Sequence, residues 1–253
     1  MIVNIPDAEA KLGELRSSVQ PILEYSQRKL GSYTLHGSMH SDQVEALLRS
    51  IISRCNRGRD KCKLSPIERY SLICTAWVHD LGNLVQRQGH NRKSCEIIDR
   101  LKHRYIWGLH PSCIELVKWI CLAHSDYELR KVPLETHFHG SLIRPRYLTA
   151  VFRVADAADL ESRRAPLPVY EILKEKLPDR TRRIWKSYQN IRDVSFPREG
   201  NSIVVTVTNK RGASFALKEF SEDFESARPV LEDHDFPYSN IRVKIEKRAP
   251  YKH

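Results

Sequence analysis

Histidine and aspartate side chains recur along the first two thirds of the chain, at positions where predicted helices begin, end or face inward. The set comprises His40, His79, Asp80, His90, His124 and Asp156. Imidazole nitrogens combined with carboxylate oxygens suit borderline divalent metals such as manganese, iron and zinc. Burying so many unpaired ionisable groups is costly, and a metal ion or mutual pairing usually resolves that cost. The set therefore predicts a buried metal centre.

The helical period explains why these side chains are expected to point inward. His40 shares a predicted helix face with Val44 and Leu47, four and seven residues further on, and Asp156 likewise lies mid-helix on an apolar stripe. Taken singly, a histidine of this kind is more often a hydrogen-bonded core or surface residue. Asp156 alone is equally consistent with an ion pair to Arg153. The prediction therefore depends on the whole set rather than on any one member.

Six helices are predicted around this set, because apolar residues recur at spacings of three and four. Their ranges are 8–30, 40–53, 65–80, 91–105, 111–124 and 146–162. The third has the clearest start, since Ser65 at the cap, Pro66 in the first turn and Glu68 three residues after the serine form a capping box. Gly82 is expected to stop the same helix. We therefore expect a helical bundle over residues 1–164.

Residues 165–253 follow a different pattern and are predicted to form a small α+β appendage. Beyond the proline-bearing stretch 165–168, helices are expected over 169–176, 180–190 and 221–231. Apolar residues alternate over 203–208 and again over 241–245, which indicates strands. The turn 209–212 is expected to lead into residues 214–217 as the returning arm of a hairpin. The expected fold class is thus mainly α, with this appendage at the C-terminus.

Composition limits the protein classes that are compatible with the chain. The 253 residues carry 42 Lys and Arg against 31 Asp and Glu, a formal net charge of +11, and a basic balance favours anionic partners. No apolar run approaches the length of a spanning helix, and acidic residues near the start are unlike a signal peptide. The six cysteines form no C-x-x-C pair, so a zinc ribbon is not indicated. We expect a cytoplasmic protein that does not associate with membranes.

The order and context of the histidine and aspartate positions resemble the HD superfamily of metal-dependent phosphohydrolases, over about residues 32–164. The matching segments are 33–41 (YTLHGSMHS), 77–83 (WVHDLGN), 89–94 (GHNRKS), 123–126 (AHSD) and 153–156 (RVAD). The first segment and the C-terminal part also resemble a branch in which such domains accompany chaperone-type ATPases. The resemblance implies an HD-type helical bundle and a divalent metal cofactor.

The same resemblance implies roles for particular residues. A first metal is expected on His40, His79, Asp80 and Asp156, and a second on His90 and His124 with Asp80 bridging. This chain has Ala123 where many dinuclear members have a second histidine, and Asn83 where a lysine is common, so one or two ions (Mn, Fe, Ni, Co, Zn or Mg) remain open. Asp80, Arg92 and Lys93 are the predicted catalytic residues. The predicted substrate-binding residues are His36, Arg92, Lys93, Arg163 and Arg164, although the basic ones are equally consistent with solvated helix-face charges.

The implied activity is hydrolysis of a phosphoester or phosphoanhydride in a nucleotide-like substrate. One alternative is an HD nuclease acting on single-stranded DNA or RNA, which the charge of +11 favours and the missing second histidine at position 123 disfavours. Another alternative is a catalytically silent HD scaffold, which binds a nucleotide, or a partner protein through the C-terminal appendage. The oligomeric state is not indicated by the sequence.

Overall fold

The structure is a computed structural model that describes residues 7–30, 37–138 and 141–246. It is mainly α, as the sequence predicts, with nine α-helices in the described residues and a small sheet near the C-terminus. None of these helices combines the length and the apolar character needed to cross a membrane. His36, a predicted substrate-binding residue, lies outside the described residues.

The first six helices confirm the predicted bundle. They are α1 (Ala8–Leu30), α2 (Ser38–Cys55), α3 (Pro66–Val78), α4 (His90–Leu101), α5 (Ile114–Ala123) and α6 (Pro145–Ala157). A short antiparallel hairpin, β1 (Thr136–Phe138) with β2 (Ser141–Ile143), precedes α6 and was not predicted. Helix α6 packs against α2, α3 and α5, and Asp156 in its last turn lies beside His40 of α2.

The predicted capping box at the start of α3 is present and has a second role. The Ser65 amide donates to Oε2 of Glu68 at 2.9 Å, and the Glu68 amide donates to Oγ of Ser65 at 3.4 Å. Arg144, the residue before α6, donates from Nη2 to the same buried carboxylate at 2.9 Å. Because a buried ion pair of this kind is costly to break, it fixes the start of α6 against the start of α3.

The C-terminal part contains three helices and a three-stranded sheet. Their bounds are α7 (Leu167–Leu173), α8 (Asp179–Tyr188), β3 (Ile191–Ser195), β4 (Ser202–Val207), α9 (Ser214–Glu232) and β5 (Asn240–Ile245). Strand β4 lies in the middle, antiparallel to β3 and parallel to β5. A parallel pair needs a crossover connection, and α9 supplies it.

The predicted hairpin arm over residues 214–217 is wrong, because this segment is the first turn of α9. Asn209 accepts a hydrogen bond from the Gly212 amide at 3.0 Å and turns the chain after β4. The buried side chains of Ala216, Phe220 and Phe224 then recur every four residues and form one helical face. Strand β3 was missed because a bulge between Ile191 and Asp193 breaks its alternation.

A continuous apolar core links the two parts of the chain. Helix α9 packs against α6, and α8 packs against α9. The fully buried Phe152 of α6 and Phe220 of α9 belong to one hydrophobic cluster. The predicted division at residues 164 and 165 stays a prediction about independent folding. The contact between α6 and α9 places the C-terminal part beside the histidine and aspartate positions.

Candidate metal centre

Two imidazoles from different helices meet at the centre of the site. His40 lies in the first turn of α2, and His79 directly follows the last residue of α3. Both are buried, and their Nε2 atoms are 3.2 Å apart. Two neutral imidazoles can share a hydrogen bond only if one of these nitrogens carries the proton. The hydrogen-bond partners of the Nδ1 atoms determine which nitrogen of each ring carries the proton.

In all four imidazoles of the site, Nδ1 faces an oxygen acceptor. His40 faces Oδ2 of Asp159 at 2.7 Å, and the other three face backbone carbonyl groups: His79 that of Ala76 at 3.2 Å, His90 that of Arg87 at 3.0 Å and His124 that of Cys121 at 2.6 Å. A neutral imidazole placed this way holds its proton on Nδ1. In this neutral form each Nε2 presents a lone pair to the interior, the arrangement that metal-binding histidines adopt.

Carboxylate oxygens converge on the same nitrogens. Oδ1 of Asp156 lies 3.1 Å from Nε2 of His40 and 3.7 Å from Nε2 of His79. Asp80 has Oδ2 at 3.6 Å from Nε2 of His79, and its Oδ1 lies 3.2 Å from Nε2 of His90. The two oxygens of Asp80 thus point towards different histidines, as a carboxylate shared between two ions would require.

The donor atoms form two overlapping groups that can bind metal. In His40, His79 and Asp156, and again in His79, Asp80 and His124, the potential ligand atoms lie within 4.8 Å of one another. His90 adjoins the second group, with Nε2 at 3.0 Å from Nε2 of His124. Two nitrogen lone pairs facing one another at this distance repel unless a proton or a metal ion lies between them. The residues therefore fit one or two divalent ions.

In the absence of metal, contacts with carboxylates and burial set the pKa values of the imidazoles in the site. Burial and the Arg164 charge both disfavour a charged His40, but hydrogen bonds with Asp156 and Asp159 outweigh them and raise the pKa of His40 to about 9. Burial, assisted by neighbouring imidazoles, lowers the pKa of His124 to about 3. Burial opposes ionisation of Asp156, yet the hydrogen bond from His40 holds the pKa of Asp156 below its usual value. Without metal, positive charge at the site is therefore favoured on His40, beside the carboxylates, and disfavoured on His124.

The backbone after α3 ties the second group of ligands to the first. The Gly82 amide donates to Oγ of Ser94 at 2.8 Å, and the Ser94 hydroxyl donates to the carbonyl oxygen of His79. Ser94 lies on α4, whose first residue is His90. The serine therefore sets the position of His90 relative to His79.

A cavity of about 410 Å³ opens from the centre, and the C-terminal part forms one of its walls. The candidate ligands His40, Asp80, His90, His124 and Asp156 line one end. Arg87 and Arg164 add positive charge, and α8 and α9 supply the opposite wall. The residues of that wall are Arg180, Thr181, Ile184, Tyr188, Glu219, Phe220 and Asp223.

The predicted basic residues fall in three different places. Arg164 lines the cavity, where Nη1 donates to the carbonyl oxygen of Asp159 at 2.9 Å. Arg163 is half-buried, and its Nε lies 3.3 Å from Oε2 of Glu161. Arg92 and Lys93 line a neighbouring cavity of about 520 Å³. Arg92 follows His90 by two residues, and residues two apart on a helix do not share a face. The catalytic and substrate-binding roles of Arg92 and Lys93 stay predictions.

Sequence reasoning missed Arg87, Asp159 and the wall formed by α8 and α9. Asp159 follows Asp156 by three residues, so helical spacing was a usable signal for it. Arg87 lies in an irregular segment between Leu84 and Gly89, where no period indicates direction. The wall depends on packing between distant segments, which periodicity does not reveal.

A mainly helical fold that gathers histidines and aspartates into a buried group able to bind a metal ion defines an HD-type domain. The HD-CE family model matches residues 30–234, which is most of the chain. The chain belongs to this HD-domain family, which confirms the superfamily resemblance seen in the sequence. No curated protein matches the chain significantly.

Proposed function

We propose that the protein is a metal-dependent phosphohydrolase that cleaves a phosphoester or phosphoanhydride of a nucleotide-like substrate. The residues that line the cavity are the main support for this proposal. Arg87 and Arg164 line the same cavity as the candidate metal ligands. Cations beside a metal centre are what a transferring phosphoryl group needs for stabilisation of its developing charge.

The bound metal would supply a lowered pKa for a water molecule and polarisation of a phosphoryl oxygen. The residues of the chain supply the rest. Arg164 is buried, and its hydrogen bond to the Asp159 carbonyl group keeps the guanidinium in place. Arg87 donates to Oδ1 of Asn83 at 3.1 Å and lines the same cavity. In the proposed function, both arginines bind oxygens of the phosphoryl group.

The wall formed by α8 and α9 suits the remainder of a small substrate. Ile184, Phe220 and Tyr188 offer apolar and aromatic surface, against which a base can pack. Glu219 and Asp223 offer carboxylates that accept hydrogen bonds from sugar hydroxyls or base amino groups. The cavity volume of about 410 Å³ lies within the range usual for small-molecule sites.

The wall formed by α8 and α9 does not exclude the nuclease alternative, because it carries both signs of charge. Glu219 and Asp223 are acidic, but Arg180 lies in the same wall, with Nη2 at 3.0 Å from Oε1 of Glu219. The net charge of +11 still favours anionic partners. We therefore keep the nuclease, together with the silent scaffold that binds a nucleotide or a protein, as outcomes of the experiment rather than as equal proposals.

The experiment measures turnover of nucleotides, cyclic dinucleotides and labelled single strands by the metal-loaded protein and by Asp80→Ala. Asp60→Ala, a substitution at an exposed residue paired with Lys63, is the matched control. Turnover of a nucleotide that Asp80→Ala abolishes and Asp60→Ala retains supports the proposal. Turnover of single strands alone, with a steep loss as salt is added, would replace it with the nuclease. Binding of a nucleotide or protein without turnover would replace it with the scaffold.

A further inference from the structure

Asp159 contacts the metal centre without facing the cavity. It lies two residues beyond the end of α6 and is fully buried. Its Oδ2 atom accepts the hydrogen bond from Nδ1 of His40 at 2.7 Å. Asp159 therefore contacts the ring of His40 on the side opposite the nitrogen that faces His79.

The partner of His40 differs in kind from the partners of the other three imidazoles. His79, His90 and His124 each face a backbone carbonyl group through Nδ1, whereas His40 faces a side-chain carboxylate. A charged acceptor makes a stronger hydrogen bond than a neutral one. It also increases the electron density that the opposite nitrogen offers to a metal. Among these four imidazoles, His40 is thus the one whose affinity for a metal ion depends on a neighbouring side chain.

Two guanidinium groups lie near the Asp159 carboxylate. Nε of Arg164 lies 3.5 Å from Oδ2, and Nη2 of Arg163 lies 3.7 Å from Oδ1. Both distances are longer than the 2.7 Å to His40. The short contact identifies the imidazole as the main hydrogen-bond partner of Oδ2, and the guanidinium groups offset the cost of burying its charge.

We propose that Asp159 is a positioning residue that holds His40 in the orientation and tautomer required for binding a divalent cation. The inference rests on the metal binding that the proposed function requires. It adds a residue that acts through His40 and that does not bind the metal or the substrate. Removing such a partner of a metal-binding histidine typically weakens metal affinity by roughly 10–100-fold.

The test is titration of metal-stripped protein with zinc and, separately, with manganese, read by calorimetry or by competition with a chromophoric chelator. Asp159→Ala should weaken binding by roughly 10–100-fold. Asp159→Asn should weaken it less, since the amide oxygen can still accept the proton of Nδ1. Glu45→Gln is the matched control, because Glu45 is also a buried carboxylate paired with arginines, Arg16 and Arg49. Glu45→Gln should bind zinc and manganese with wild-type affinity even if the substitution lowers the free energy of unfolding.

A second measurement keeps the inference testable if Asp159→Ala folds poorly. In the zinc-loaded protein, the nitrogen-bound proton on Nδ1 of His40 should be protected and visible by NMR, and Asp159→Asn should shift its resonance. Unchanged affinity in both Asp159 variants would overturn the inference, as would an Nδ1 resonance that does not respond. If the wild-type protein binds neither metal, the proposed function fails first. Normal wild-type binding with unaffected Asp159 variants would overturn the positioning role alone.

Discussion

The backbone of Gly82 lies against the carbonyl group of His90. A Cβ atom on residue 82 would come within 1.9 Å of the His90 carbonyl oxygen and 2.7 Å of the Ser94 amide nitrogen. Both atoms belong to the backbone of α4, so no side-chain rotation can relieve the clash. The glycine thus permits the close approach that places His90 beside the ligands at the end of α3.

Gly82→Ala should therefore destabilise the fold and displace His90. We expect a loss of about 1–3 kcal/mol in the free energy of unfolding, the usual cost of overpacking, together with weaker metal binding. Chemical denaturation and metal titration measure the two effects. Gly13→Ala is the matched control, since a Cβ there meets nothing within 4 Å and alanine is favoured over glycine inside a helix. A Gly82→Ala protein as stable as the wild type would contradict the described packing.

Arg87→Ala should lower kcat/KM for the proposed phosphorylated substrate with the fold retained. Losing one hydrogen bond to a charged group costs about 1.5–3 kcal/mol, which corresponds to roughly tenfold or more in kcat/KM. Steady-state kinetics measure it, with Arg92→Ala as the comparison because Arg92 lines the neighbouring cavity. A larger effect from Arg92→Ala would favour the role predicted from the sequence and would count against substrate binding in the metal cavity.

Asp223→Asn should stabilise the metal-free protein near neutral pH and lose this advantage in acid. Partial desolvation and the nearby Asp156 carboxylate, with Glu219 and Glu222, outweigh Arg153 and raise the pKa of Asp223 from 3.8 to about 6. The folded protein thus holds this proton more tightly than the unfolded chain. The stability that Asp223 contributes is present below the unfolded pKa and is lost as pH rises through the folded pKa.

The melting temperatures of Asp223→Asn and of the wild type, measured with a chelator present, test this prediction. The difference between the two melting temperatures should increase as pH rises from about 4 to about 7. A difference that stays constant with pH would show that Asp223 ionises normally in the folded protein.

Phe224→Ala should destabilise the helical bundle as well as the C-terminal part. Phe224 is fully buried on α9, and α9 packs against α6, the helix that carries Asp156. Truncating a buried phenylalanine costs about 3–5 kcal/mol. Urea unfolding should show one transition shifted to lower denaturant, with metal binding lost over the same range. Two separate transitions, of which only one moves, would instead show that residues 1–164 fold independently.

The sequence was informative where a helix set the direction of a side chain. His40 and Asp156 lie on helical faces whose apolar periods predicted that they would point inward, and the structure brings both to the same site. The capping box at Ser65 and Glu68 was equally readable, because its residues are adjacent in sequence.

Features that depend on contacts between distant segments could not be read in this way. The start of α9 differs from the predicted strand because a segment of four residues, three of them apolar, fits either period, and the recurrence of Phe220 and Phe224 indicates the helix. The cavity wall contains Tyr188 and Glu219, whose place beside the histidines follows from the packing of α8 and α9. Arg87 has no regular element to indicate its direction.

Metal binding is measured by elemental analysis on protein purified without chelator and then reloaded with manganese, iron or zinc. We expect the wild-type chain to bind one or two divalent ions. His79→Ala, which removes a ligand common to both candidate groups, should lose them while its circular dichroism is unchanged. A folded wild-type protein that retains no divalent ion after reloading, or a His79→Ala protein that binds as much as the wild type, would contradict this prediction.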